Sequence, residues 1–262
     1  MKIPFTKAHG ARNDFLLSWS DDVPDVGRSA VARALCDRHT GVGADGWIVI
    51  SRVQNADAAI ELWNSDGSSS EISGNGTRCA AALVMQSDDV RIRTGAGLKH
   101  LRLLNRAGRV YSFEMNMGQP AIEELHATVQ GSDATILNVG NPQCAIFVPD
   151  FSLDWRAIGA RIERDPRFPH RTNVSFIRVL DRHAIDVRFF ERGAGATMSS
   201  GTGSTGAAAA AVARGLATPP VEVRTEAGQL AVRWQGDDLF LAGPAEIVAV
   251  GEFYFSQGEM NL

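Results

Sequence analysis

The chain has 262 residues, 44% of them apolar, with 26 glycines and 10 prolines, a composition that builds a core in each of two halves and excludes disorder. A net charge of −4, with Lys and Arg scattered rather than gathered in runs, offers no broad basic field for nucleic acid. Three cysteines, Cys36, Cys79 and Cys144, show no CxxC spacing, so neither a disulfide framework nor a zinc centre is expected, and a reducing cytoplasm fits.

The opening ten residues lack a continuous apolar core, and the alanine run at 207–213 is too short to span a bilayer, so neither export nor membrane insertion is expected. In chain order, strands are predicted at 15–19, 47–50, 59–63, 90–94, 98–104 and 110–115, most ending in Gly, Asn or Asp turns. The helices of this half are predicted at 29–38, with Ser29 as N-cap, and directly after Ser73. The best boundary is Asn116-Met117-Gly118-Gln119-Pro120. Beyond it, strands are predicted at 136–139, 144–148, 174–179 and 185–190, with a helix near 153–162 that matches the one at 29–38. An Ala-rich helix follows Ser200, and strands at 221–224, 230–234 and 239–241 complete the half. The expected domains are 1–116 and 117–248, with a tail of about 249–262 returning to the first.

Ser73-Gly74-Asn75-Gly76-Thr77-Arg78-Cys79 recurs in outline at Ser200-Gly201-Thr202-Gly203-Ser204-Thr205-Gly206, each copy leading into alanines. Each reads as a tight turn opening a buried helix, whose first N–H groups lack internal partners and lie at the positive end of the helix dipole. Such an end holds a carboxylate or phosphate. Both halves set a small-residue helix among blocks of short strands, which predicts an α/β (α+β) fold of two pseudo-symmetric lobes, each a mainly antiparallel sheet wrapped around a central helix. Irregular alternation of strand and helix speaks against a Rossmann sheet, and no Gly-Lys-Ser/Thr completes a P-loop.

Near the two repeats lie Asn13, Asn64, Asn75, Asn141, Asn173 and Thr202, with the charged pair Glu191-Arg192. Any single Asn is more often a turn residue, but recurrence beside both repeats points to the shell of a polar ligand. Arg favours a carboxylate and Glu an ammonium, so an amino acid fits the pair. His39 reads as structural, His9 and His100 have no metal-ligand spacing, no Ser-His-Asp arrangement can be read from linear order, and no metal is expected.

At these residues the chain resembles the diaminopimelate epimerase family. His9-Gly10-Ala11-Arg12-Asn13-Asp14-Phe15, Asp37-Arg38-His39-Thr40-Gly41-Val42-Gly43, Asn64-Ser65-Asp66-Gly67, Gly74-Asn75-Gly76-Thr77-Arg78-Cys79, Gly140-Asn141-Pro142, Arg171-Thr172-Asn173-Val174 and Glu191-Arg192-Gly193-Ala194-Gly195 all fall in family order. The resemblance implies a cofactor-independent epimerase of lysine biosynthesis that inverts the α-carbon of LL-/meso-diaminopimelate by two-base proton transfer in a cleft between lobes. It implies a cytoplasmic enzyme with a small-molecule amino acid as partner, in a family where dimers are common. In that family a cysteine opens each Gly-rich turn, whereas both positions here are serine. The resemblance assigns Ser73 and Ser200 the catalytic roles, and surrounds the substrate with Asn13, Asn64, Gly74, Asn75, Asn141, Asn173, Glu191, Arg192, Gly201 and Thr202.

A thiol titrates near pH 8.5, whereas a serine hydroxyl is a poor base unless an adjacent group takes its proton, and no such group stands next to either serine in the sequence. Three further departures are Gln143 for the family's His, Ala196 for its glutamate and Gly46 for its Gln. Cys79 and Cys144 read as buried, inert thiols. Two other readings follow: an amino-acid-binding paralogue whose serines only hydrogen-bond, and a racemase, epimerase or dehydratase of proline-like substrates.

Overall fold

Every predicted strand and helix is present, with shifted ends, and the strands are joined into sheets by pairings that repeat from one half of the chain to the other. The structure, a computed structural model, describes residues 1–25 and 27–256. The chain divides into a first unit, Met1–Phe113 with Pro244–Leu262, and a second, Glu114–Gly243. The first contains β1 (Lys2–Gly10), β2 (Asn13–Trp19), α1 (Arg28–Cys36), β3 (Gly46–Ser51), β4 (Ala58–Asn64), β5 (Ser69–Ser70), α2 (Gly74–Val84), β6 (Asp89–Thr94), β7 (Gly97–Ala107) and the start of β8 (Val110–Gly118). The second contains β9 (Ala121–Val129), β10 (Ser132–Asn138), β11 (Pro142–Phe147), α3 (Trp155–Glu163), β12 (Asn173–Asp181), β13 (Ala184–Glu191), β14 (Gly195–Thr197), α4 (Gly201–Ala213), β15 (Val221–Thr225) and β16 (Gly228–Gln235).

The last strand, β17 (Asp238–Tyr254), belongs to the second unit as far as Gly243 and to the first from Pro244, where it pairs with β1 from Tyr254 opposite Lys2 to Glu246 opposite His9. Residues 257–262 of the expected tail lie outside the described residues.

In the first unit β1 pairs with β2, β2 runs parallel to β3, β3 is antiparallel to β4, and β4 takes β5 antiparallel and β6 parallel. The second unit repeats that order with β10, β11, β12, β13, β14 and β15. Strands β1 and β9 are absent from the predicted set, as are the two- and three-residue strands β5 and β14. Pro4 interrupts the pattern of β1, and most of β9 is exposed, so backbone pairing with β2, β17 and β10 makes these two strands rather than an apolar period.

Each unit buries its own core: Leu16, Val31, Leu35, Trp47 and Val49 in the first, Ile136, Ile146, Trp155, Ile162, Val174 and Phe176 in the second. A central helix lies against the sheet in each, α2 against β1 to β4 and β6, and α4 against β9 to β13, β15 and β16. Both are buried over most of their length, which is why small residues predominate in them, the runs Ala80–Ala82 and Ala207–Ala211 above all.

None of the glycines that open the central helices, Gly74, Gly76, Gly201 and Gly203, has positive φ. They permit close approach instead: a Cβ at Gly76 would lie 2.9 Å from Ile48 Cδ1, and one at Gly203 2.8 Å from Phe189 Cδ1. Nor does Ser29 cap α1, whose N-cap is Gly27 in the left-handed conformation; the Ser29 hydroxyl accepts instead from Arg33 Nη1 at 2.8 Å, one turn further on.

The end of α1 is closed by Val42 and Gly43, whose N–H groups donate to the Leu35 carbonyl at 3.0 and 3.2 Å. A Cβ on Gly41 in that turn would lie 2.1 Å from the Ala34 carbonyl and 2.7 Å from that of Leu35. Gly41→Ala is therefore expected to lower the unfolding free energy by about 3 kcal/mol, since only backbone can move to relieve the overlap. Urea unfolding measures it, and a loss below about 0.5 kcal/mol, the ordinary range for neutral surface changes, would contradict the reading.

Candidate active site

Each unit gathers its polar residues at one rim, where two parallel strands begin, a third ends and the central helix starts. In the first unit the two-residue hairpin at Ala11 and Arg12, with φ of 49° and 60°, delivers Asn13 at the head of β2. Gly46 heads β3 and pairs with Asn64 at the end of β4. Asn64 closes its own turn, donating through Nδ2 to Ser68 Oγ at 2.9 Å. Asn13 Nδ2 donates to Asp45 Oδ2 at 2.8 Å, and Asn75 Nδ2 donates to Asn13 Oδ1 at 3.2 Å, which ties α2 to the strand ends. Gly46 has no room for a side chain, because a Cβ would lie 2.9 Å from the Trp63 carbonyl.

Ser73 is the N-cap of α2, with φ −129° and ψ 122°, and its Oγ accepts from the Gly76 N–H at 3.1 Å. Ser200 caps α4 in nearly the same conformation, φ −139° and ψ 126°, and accepts from the Gly203 N–H at 3.1 Å. The two copies thus match in backbone and in cap. Gly74 and Gly201 each begin the helix and are buried with it.

The second rim differs from the first in its charge. Ser200 Oγ donates to Glu191 Oε2 at 2.9 Å, while Thr197 Oγ1 donates to Glu191 Oε1 at 2.6 Å. The adjacent proton acceptor that the linear sequence does not show is therefore present at Ser200, brought there from the end of β13. Asn141 Nδ2 donates to Thr202 Oγ1 at 3.3 Å and its Oδ1 accepts from Gln143 Nε2 at 2.7 Å. Asn173 Nδ2 donates to the Pro142 carbonyl at 2.9 Å, and its Oδ1 accepts from the Arg192 N–H at 3.0 Å. Arg192 Nη1 donates to the His170 carbonyl at 3.3 Å.

In the first unit the structure thus brings together Asn13, Asn75, Ser73 and Asn64, and in the second Asn141, Thr202, Asn173, Glu191, Arg192 and Ser200. Sequence reading does not single out Asp45, Thr197 or Arg78, although Arg78 lies inside a quoted motif; what marks them is partnership across the fold. None of the cysteines supplies a base. Cys36, Cys79 and Cys144 are buried, and burial pushes each thiol up to about 12. Among the described residues no group of His, Cys, Asp and Glu could hold a metal ion, and no helix is long and apolar enough to cross a membrane.

Behind Asn13, burial would raise the Asp14 carboxyl, but hydrogen bonds from Arg38 and Lys7 outweigh it and hold the group below the usual carboxylate range. A depressed folded-state value contributes stability above the unfolded value, near 3.9, which is lost as pH falls through the folded one. Asp14→Asn is expected to flatten the loss of unfolding free energy below about pH 4, read by denaturant titration at several pH values. An unchanged slope would mean that Asp14 is not the group responsible.

By fold this is a mixed α/β protein of two like units, each with a sheet wrapped on a helix. It shares that fold with a hydroxyproline epimerase from Agrobacterium vitis, at a TM-score of 0.74 and 17% identity over 96% of this chain and 92% of the other. A phenazine biosynthesis protein from Bacillus anthracis also matches, at a TM-score of 0.74 and 13% identity over 97% and 100%. The sequence is more specific. The family model of diaminopimelate epimerase matches residues 5–123 and 135–248. The diaminopimelate epimerase of Pelotomaculum thermopropionicum is 37% identical, covering 95% of this chain and 98% of its own, and that of Halothermothrix orenii is 33% identical over 98% and 100%. The chain belongs to the diaminopimelate epimerase family.

Proposed function

We propose that the chain is a cofactor-independent epimerase that inverts the α-carbon of LL-/meso-diaminopimelate, a step of lysine biosynthesis, with Ser73 and Ser200 in the acid and base roles. The observation that carries this reading is the hydrogen bond from Ser200 Oγ to Glu191 Oε2, 2.9 Å long, at the capped start of a buried helix. As Ser200 Oγ takes the α-proton, its own proton passes to Glu191, so no free alkoxide forms. The electron pair left on the α-carbon spreads into the substrate carboxylate, where the N–H groups at Gly74, Asn75, Gly201 and Thr202 hold the growing charge. Ser73 then donates its hydroxyl proton to the opposite face, the Gly76 N–H steadies the oxyanion, and the cycle closes when solvent takes the proton from Glu191 and returns one to Ser73. The side chains of Asn13, Asn64, Asn141 and Asn173, with Glu191 and Arg192, orient the amino acid.

The reaction runs in the cytoplasm, which suits three free buried thiols, and the active species is a homodimer. Sedimentation velocity tests the latter.

Among the described residues the only hydrogen bond of the Ser73 side chain is the one it accepts from Gly76, and this favours a second reading in which an amino acid binds without inversion. Proton NMR in deuterium oxide separates the two. Pure protein with LL- or meso-diaminopimelate should incorporate α-deuterium and interconvert the isomers. Binding without either would establish the second reading and end the first.

A further inference from the structure

Arg78 lies in the second turn of α2, is completely buried, and has no carboxylate within ion-pair distance among the described residues. Its Nη2 donates to Asn75 Oδ1 and its Nε donates to the Pro244 carbonyl at 3.1 Å, while Nη1 is buried with no partner among those residues. Burying an unpaired guanidinium is costly, so its presence there calls for a reason beyond packing. Burial lowers its pKa to about 10, which leaves it cationic at neutral pH.

One of these bonds opens a chain. Asn75 accepts from Arg78 through Oδ1 and donates through Nδ2 to Asn13 Oδ1; Asn13 donates through Nδ2 to Asp45 Oδ2, and Asp45 Oδ1 accepts from Arg38 Nη2 at 2.8 Å. A cation at one end and a carboxylate at the other fix which end of each amide is oxygen and which is nitrogen, because flipping either one would set donor against donor and acceptor against acceptor. Each amide nitrogen makes one hydrogen bond among the described residues and has a second N–H beyond it. The corresponding start of α4 has no such chain: Thr205 stands where Arg78 would be, Thr202 stands for Asn75, and the carboxylate there, Glu191, accepts from Ser200.

We infer that Arg78 is a positioning residue: through Asn75 it locks both Asn75 and Asn13 in one amide orientation, and its charge strengthens the hold of the α2 start on the carboxylate of the amino acid. The ligand half of this inference rests on the proposed function; the lock does not.

Two readouts keep those halves apart. In ligand-free protein labelled with 15N-asparagine, the side-chain amide protons of Asn13 and Asn75, assigned by substitution at each, should be protected from solvent exchange. Arg78→Met, similar in length but uncharged, should abolish that protection at both, whereas Arg78→Lys should retain part of it. Calorimetry with meso-diaminopimelate should show binding weakened about tenfold or more in Arg78→Met and partly regained in Arg78→Lys, the loss expected for a hydrogen bond to a charged group. Unchanged protection in folded Arg78→Met would overturn the lock, and lost protection with unchanged affinity would overturn its role in binding. If wild type fails to bind meso-diaminopimelate, the proposed function fails, while the exchange measurement still decides the lock. Should Arg78→Met not fold, Asp45→Ala, at the half-exposed far end of the chain, should free the Asn13 amide; its continued protection would count against the lock.

Discussion

Glu191→Gln is expected to lower α-deuterium exchange about 10²- to 10³-fold, the range typical of losing a general base. The carboxylate accepts from both Ser200 and Thr197, so it is held in place before substrate arrives. Glutamine preserves the shape and can still meet both hydroxyls, but it cannot take a proton. The melting temperature should therefore change little while exchange collapses, and the loss should fall on kcat more than on KM because the proton moves only in the transition state. Equal exchange in wild type and variant would remove Glu191 from the chemistry and leave Ser200 as a cap.

Ser73→Cys with Ser200→Cys is expected to raise exchange by at least about 10²-fold at pH 8, since each unit by which a base's pKa comes closer to the working pH is worth about 1.4 kcal/mol. Both positions are helix N-caps, where the dipole favours a thiolate, and the Gly76 and Gly203 N–H groups would donate to sulfur as they now do to oxygen. Glu191 works against this at position 200, where its charge holds the thiol protonated. The pH profile of the double variant should accordingly rise near the thiol pKa, with position 73 supplying the thiolate more readily. A rate no higher than wild type would mean that the serines are not what limits exchange.

The two units share one pattern of strand pairing and one helix cap, yet their charges differ. The first carries, in the second turn of its central helix, a buried cation with no carboxylate partner among the described residues, the second a carboxylate bonded to its cap.

Much of this was legible before folding. The Ser-Gly-x-Gly repeat marks both helix starts, since an N-cap serine followed by small residues has a local cause, and the alanine runs declare the burial of α2 and α4. The asparagines of both rims stand next to turns that can be read from Gly and Pro. What the sequence leaves open has a physical origin too. Gly76 and Gly203 are small because Ile48 and Phe189 crowd them from the sheet, a constraint set by residues far away in the chain. Ser29 has a cap's chemistry but gives its hydroxyl to Arg33, leaving the cap to Gly27.

What the sequence by itself determined is therefore the local part: where the helices begin, which residues cap them, that the chain is built twice on one plan, and to which family it belongs. Tertiary structure alone decided the distant partners: Glu191 on Ser200, Asp45 on Asn13, and the Pro244 carbonyl on Arg78. The reason is one of range. A cap or a helix turn closes within four residues and leaves a pattern in the text, whereas a proton acceptor reaches its hydroxyl only after strand pairing has aligned the ends of β11, β12 and β13 with the start of α4.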